Sequence, residues 1–175
     1  MLERLVDGRA RVGWSEIDTA SIPQLTSAEA AVVERAVPRR QAEFATGRRL
    51  LRSLVGRDIE ILPTDSGAPR LPPGLVGSLA HDPAVVVGLV APAKEMRAVG
   101  IDVEPVHDLE RGVAELIVRP DDVVPDALTA FVAKEAAYKV WSVLGGEMLE
   151  HHDVNVVVES GRYRADLRGD LLLSL

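Results

Sequence analysis

The sequence predicts an α+β protein built from two similar halves, each combining helix with short antiparallel strands. Three observations lead there. Apolar residues recur at helical spacing in long stretches, short β-rich runs follow those stretches, and clusters of Pro, Gly and Asp punctuate the boundaries. At 175 residues the chain suits one domain, with halves of about 1–92 and 93–175.

The elements follow in chain order. "LTSAEAAVVERAV" (25–37) reads as a helix, with Thr26 and Glu29 at capping-box spacing, and it stops before Pro38. Pro38 then suits the first turn of a second helix, "PRRQAEFATGRRLLRSLVG", which ends at Gly56. Gly47 weakens that helix by roughly 1 kcal/mol against alanine, which points to close approach of a ligand or another element. "DIEIL" (58–62) has strand character, and "PTDSGAPRLPPG" (63–74), with four prolines and two glycines, is a loop. "VGSLAH", "AVVVGLVAP" and "RAVGIDVEP" are expected to form an antiparallel meander. A third helix fits "DALTAFVAKEAAYKVWSVLGG", with Asp126 near its start and Gly145 and Gly146 after its end. "HDVNVVVES", "GRYRADL" and "DLLLSL" return to short strands.

Composition narrows the function classes. With 47% hydrophobic and 27% charged residues the chain is globular, and with only 3% aromatics its core is aliphatic. The absence of cysteine removes disulfides, thiolate metal sites and cysteine nucleophiles, so a metal would need oxygen or imidazole ligands. No apolar run reaches membrane-span length and the start lacks a signal-peptide core, so a cytoplasmic protein is expected. A net charge of −7 speaks against general nucleic-acid binding. Against that acidic background, seven arginines and the single acid Glu43 lie between Arg35 and Arg57. Such a run is a local anion site or a solvated basic helix face.

Four groups of residues could carry chemistry. In "GIDVEP", strand alternation would turn Asp102 and Glu104 to one face, where they would repel unless a cation lay between them; the plain alternative is a solvated strand end before Pro105. In "AKEAAYK", Glu135 and Lys139 are four residues apart on one helix face, the spacing of an ordinary pair worth roughly 0.2–0.5 kcal/mol. Yet two of only three lysines, Lys134 and Lys139, sit in this heptapeptide, while arginine is used 17 times overall. His81 closes "GSLAH" beside the proline-rich loop, where a structural histidine is the commoner reading. His107, His151 and His152 have no motif around them and read as surface residues. Arg40, Arg48 and Arg52 lie roughly on one face of the second helix, and their guanidinium forks suit phosphate; helix packing with a solvated basic face is the alternative.

Taken in this order, "RRQAEFATGRRLLR", "GAPRLPPGLVGSLAHD", "VGIDVEP" and "FVAKEAAYKVW" resemble the 4'-phosphopantetheinyl transferases over about residues 35–145. The match is to the larger, surfactin-type class, and within it to the branch serving siderophore and mycobacterial lipid synthesis. The resemblance implies a pseudo-twofold α+β fold holding CoA and Mg²⁺ (with Mn²⁺ as a substitute) between its halves. It implies transfer of the phosphopantetheine arm of CoA to a serine of an apo acyl, aryl or peptidyl carrier protein, with release of adenosine 3',5'-bisphosphate. Carried over by position, Asp102, Glu104 and Glu135 would ligate the metal, Glu135 would serve as base, and Lys139 would neutralise the pyrophosphate. Lys134 would be a further CoA contact. Arg40, Arg48 and His81 would hold the nucleotide end with its 3'-phosphate, and Arg52 would join them.

Several positions depart from the family pattern. Ala80 stands where a serine or threonine usually precedes the histidine, and "TDSGAPR" lacks the loop lysine, leaving Arg70 as the nearest cation. The loop has Leu71 and Pro72 where "WP" is common. Only 29 residues separate Glu104 from Lys134, a shortened stretch in the region that helps form the carrier surface in relatives. A CoA-binding homologue without transfer activity, acting as an assembly partner in a biosynthetic complex, is therefore the alternative. A monomer is expected of a pseudo-dimeric chain.

Overall fold

Local chemistry starts and stops the helices where the sequence places caps. The computed structural model describes residues 2–6, 10–159, 162–167 and 171–174, in two compact units, Met1–Val103 and Glu104–Leu175. The architecture is α+β, with two antiparallel sheets. Among the described residues no helix is long and apolar enough to cross a membrane.

In the first unit, strands β1 (Leu2–Val6) and β2 (Ala10–Glu16) precede helices α1 (Ser27–Val33) and α2 (Pro38–Val55), followed by β3 (Leu75–His81) and β4 (Val85–Pro92). The sheet order is β1-β2-β4-β3, with each neighbouring pair antiparallel. Thr26 caps α1 reciprocally: its Oγ1 accepts from the Glu29 N–H, and the Glu29 carboxylate accepts from the Thr26 N–H. Helix α2 begins on Pro38 and closes on Gly56, whose φ of 73° is the left-handed conformation that glycine adopts without strain. Leu50, Leu51 and Leu54 of α2 bury against Val86 and Val90 of β4 and against Ile61. Each fully buried aliphatic side chain at this contact stabilises the unit by roughly 1.5–3 kcal/mol. Close approach at this contact explains Gly47: a Cβ there would stand 3.2 Å from Leu79 Cδ1 on β3. The glycine admits a strand side chain.

Two expected strands are absent from the ladders. Residues 58–62 join no sheet, and side chains satisfy part of their backbone instead. The Ile61 N–H donates to Glu29 Oε1 at 2.7 Å, while the Ile61 and Ile59 carbonyls accept from Arg48 Nε at 2.6 Å and Arg52 Nε at 2.8 Å. Residues 97–105 likewise lie outside the sheet, so the meander has two strands, β3 and β4, rather than three. One anchor of that segment is the Ile101 N–H, which donates to Ser78 Oγ on β3 at 3.3 Å. Strand β2, which pairs with β4 on the edge opposite β3, was not anticipated from "ARVGWSE".

In the second unit, helices α3 (Arg111–Ile117) and α4 (Ala127–Val143) precede a 3-10 turn (His151–Asp153) and strands β5 (Val154–Glu159), β6 (Arg162–Leu167) and β7 (Leu171–Ser174), ordered β5-β6-β7. Asp126 caps α4 by accepting from the Thr129 N–H at 2.7 Å, and Gly145, with φ 86°, follows its end. Ala133 and Ala137 of α4 pack on Val154, Val156, Ala165 and Leu167. The three tail strands form as expected; residues 160, 161, 170 and 175 of those runs lie outside the described residues. The stretch 105–133 contains the short α3, which composition did not suggest, and Val123 then bridges β5 in parallel at Val157.

Candidate functional site

Helix α2 and the end of β3 build a cationic cluster in the first unit. Arg40 and Glu43 are one helical turn apart, and His81 reaches them from the last residue of β3. Arg40 NH1 lies 2.9 Å from His81 Nε2 and 3.3 Å from Glu43 Oε2, while Arg39 Nε donates to the other carboxylate oxygen at 3.2 Å. Arginine only donates, so the Arg40 contact is a hydrogen bond in the tautomer that leaves His81 Nε2 as acceptor. The side chains of Arg40 and His81 are 48% and 41% exposed, whereas that of Glu43 is 9% exposed. Two cation-capable groups thus face solvent over a carboxylate that solvent barely reaches.

Arg48 and Arg52, expected beside Arg40 at an anion site, are drawn into internal contacts. Arg48 is 5% exposed, spends its Nε on the Ile61 carbonyl and stacks 3.9 Å from the Phe44 ring centroid. Burial pushes its guanidinium down to about 10, partly opposed by the charge of Glu29, so it stays protonated at neutral pH. Arg52 pairs with Glu29 and Asp58 and donates to the Ile59 carbonyl. Burial alone would raise the Glu29 carboxyl; hydrogen bonds from the Ile61 and Thr26 N–H groups, with Arg52, outweigh it and hold the carboxyl below its usual value. Ala80 is buried in β3, and Arg70 is exposed on the 63–74 loop.

The second unit carries the α4 residues. Lys134 was expected to touch CoA, but it is 2% exposed and its three ammonium donors meet three oxygens: Ile117 O at 2.7 Å, His151 O at 3.0 Å and Asp122 Oδ2 at 2.6 Å. Burial lowers the Lys134 ammonium, and Asp122 counters it. Asp122 also accepts from the Arg119 and Val156 N–H groups, so this pair ties α3, α4, the 3-10 turn and β5 together. Glu135 is one-third exposed and meets His151 Nε2 at 3.1 Å, and the His151 ring packs on Phe131 at 5.4 Å. Lys139 follows one turn along α4, half-buried.

Asp102 belongs to the first unit, while Glu104 and Glu135 belong to the second. Asp102 and Glu104 are both half-buried on a segment outside the strands, and Asp102 Oδ2 is sealed from solvent. Among the described residues no three His, Cys, Asp or Glu side chains are gathered as a metal cluster. By chemistry alone, carboxylate oxygens are the ligand type that a hard divalent cation such as Mg²⁺ takes.

Three residues at these sites escaped the sequence reading. Glu43 had a signal, as the single acid in an arginine-rich stretch. Asp122 and His151 had none, because their partners lie 12 and 16 residues away in the chain.

Comparison with known proteins agrees with this organisation. Residues 28–91, spanning α1 to β4, match the 4'-phosphopantetheinyl transferase N-terminal domain. The 4'-phosphopantetheinyl transferase Svp of Streptomyces mobaraensis is 37% identical over 158 residues, covering 79% of this chain and 64% of the relative. PptT of Mycobacterium tuberculosis, also named a 4'-phosphopantetheinyl transferase, is 34% identical, covering 75% and 64%. Npt of Nocardia iowensis, of the same name, is 30% identical, covering 75% and 65%. The chain therefore spans somewhat less than two thirds of the length of these relatives. The family match along the first unit and these identities across most of the chain make it a relative of the 4'-phosphopantetheinyl transferases.

Proposed function

We propose that this protein transfers the 4'-phosphopantetheine arm of CoA to a serine of an apo carrier protein, with Mg²⁺, or Mn²⁺ in its place. The observation that carries the reading is the convergence of Arg40 and His81, 41 residues apart in sequence, at the position the resemblance gives to the nucleotide's 3'-phosphate. Arg40 and His81 are the exposed contacts assigned to that phosphate, with Arg48, whose Nε is on the Ile61 carbonyl, and Arg52 behind them.

In the reaction the serine oxygen attacks the β-phosphorus of CoA, forming one P–O bond as the bond to the bridging oxygen breaks. Adenosine 3',5'-bisphosphate leaves. Glu135 takes the serine proton, and Lys139 neutralises charge on the pyrophosphate; such transfers depend on positioning and charge neutralisation. Asp102, Glu104 and Glu135 would hold the metal, whose chemistry is to offset phosphate charge. Lys134 contributes by fixing α4 to Asp122, not by contact with CoA. The halves of about 1–92 and 93–175 are pseudo-repeats in this reading: each sets a long helix before an antiparallel hairpin, α2 before β3 and β4, α4 before β5 and β6. The protein works as a cytoplasmic monomer.

Mass spectrometry of apo carrier proteins mixed with CoA and Mg²⁺ tests the proposal. The carrier is expected to gain about 340 Da, the mass of the arm, and Asp102→Ala to abolish the gain. CoA binding without a mass gain on any acyl, aryl or peptidyl carrier would instead make the chain a CoA-binding assembly partner.

A further inference from the structure

Neither the resemblance nor the family match assigns a role to Glu43. It is the only acid between Arg35 and Arg57, its side chain is barely exposed, and it lies directly against Arg40. One carboxylate oxygen faces Arg40 NH1 at 3.3 Å and His81 Nε2 at 3.7 Å, while the other takes Arg39 Nε at 3.2 Å. A half-exposed arginine in water samples many rotamers, and ordering it on binding weakens affinity. Here the carboxylate and the His81 ring already hold it.

We propose that Glu43 is a positioning residue: it presets Arg40 and His81 for the 3'-phosphate of CoA and so sets the preference for CoA over dephospho-CoA. This rests on the proposed function, specifically on its nucleotide end. Charge repulsion between Glu43 and the phosphate is the opposing effect. It is the smaller one, because two guanidinium groups already neutralise the single carboxylate, so approach from solvent meets net positive charge.

The test is calorimetric titration of CoA and of dephospho-CoA into the full chain and its variants. The unchanged chain is expected to favour CoA. Glu43→Asp keeps the charge but withdraws it by one methylene, and Glu43→Ala removes it; each is expected to reduce the preference about tenfold, as for a lost charge-assisted hydrogen bond. Glu43→Gln loses the charge but leaves an oxygen at Arg40, so it is expected to keep most of the preference and to fold even where Glu43→Ala does not. A preference that survives Glu43→Asp, or that rises in Glu43→Gln, overturns the role given to Glu43 alone. An unchanged chain that binds the two nucleotides equally overturns the nucleotide-end reading, and this inference with it.

Discussion

Lys134 and Arg40 show how differently two cations are used when both come from motifs that suggest phosphate binding. Arg40 is half-exposed and held by one carboxylate and one imidazole. Lys134 is sealed, with each of its protons on an oxygen, and its partner Asp122 is equally sealed. Breaking a buried pair from one side strands the other charge, a loss of about 3–5 kcal/mol, whereas replacing both partners is far milder. Lys134→Met is therefore expected to destabilise the chain by that order in urea unfolding, and Lys134→Met with Asp122→Asn, which removes the second charge but keeps an oxygen for the Val156 N–H, to recover part of the loss. If Lys134→Met unfolds at the same urea concentration as the unchanged chain, the ammonium does not have this structural role. The same logic accounts for the arginine run: Arg48 and Arg52 supply donors to carbonyls that no strand neighbour reaches.

Among the elements, Glu29 joins three pieces. It completes the α1 cap, accepts from the Ile61 N–H of the segment 58–62 and pairs with Arg52 of α2. Its carboxyl is held below the ordinary value of 4.5, so the folded state binds that proton less tightly than the unfolded chain does. The resulting stability is present above pH 4.5 and is lost as pH falls through the lowered folded value. Glu29→Gln is expected to be less stable than the unchanged chain at about pH 7, with the difference shrinking by about pH 3. Urea unfolding across that range checks the sign; a constant difference would assign the effect to packing. The segment 58–62 is held by this acid and by two arginines. Its apolar alternation resembles that of a strand because Ile61 is buried in the core with α2 and β4, though it joins no ladder.

At the scale of the whole molecule, the proposed chemistry draws Asp102 from one unit and Glu104 and Glu135 from the other. Three carboxylates suit a hard cation, so EDTA is expected to abolish transfer to the carrier, and added Mg²⁺ or Mn²⁺ to restore it. Transfer that persists in EDTA, followed by carrier mass, would remove these acids from the metal role. Sequence alone determined the α+β class, the helix limits at Thr26, Pro38, Gly56 and Asp126, the tail strands and the family resemblance. Those signals are local: a cap or a proline acts within one helical turn, and a motif is read along the chain. Tertiary structure decided which of the charged motif residues face solvent. Arg40 meets His81 across 41 residues, Arg48 meets Ile61 across 13 and Lys134 meets Ile117 across 17. A guanidinium or ammonium group binds whichever oxygen folding brings near it, and spacing along one helix carries no record of that choice.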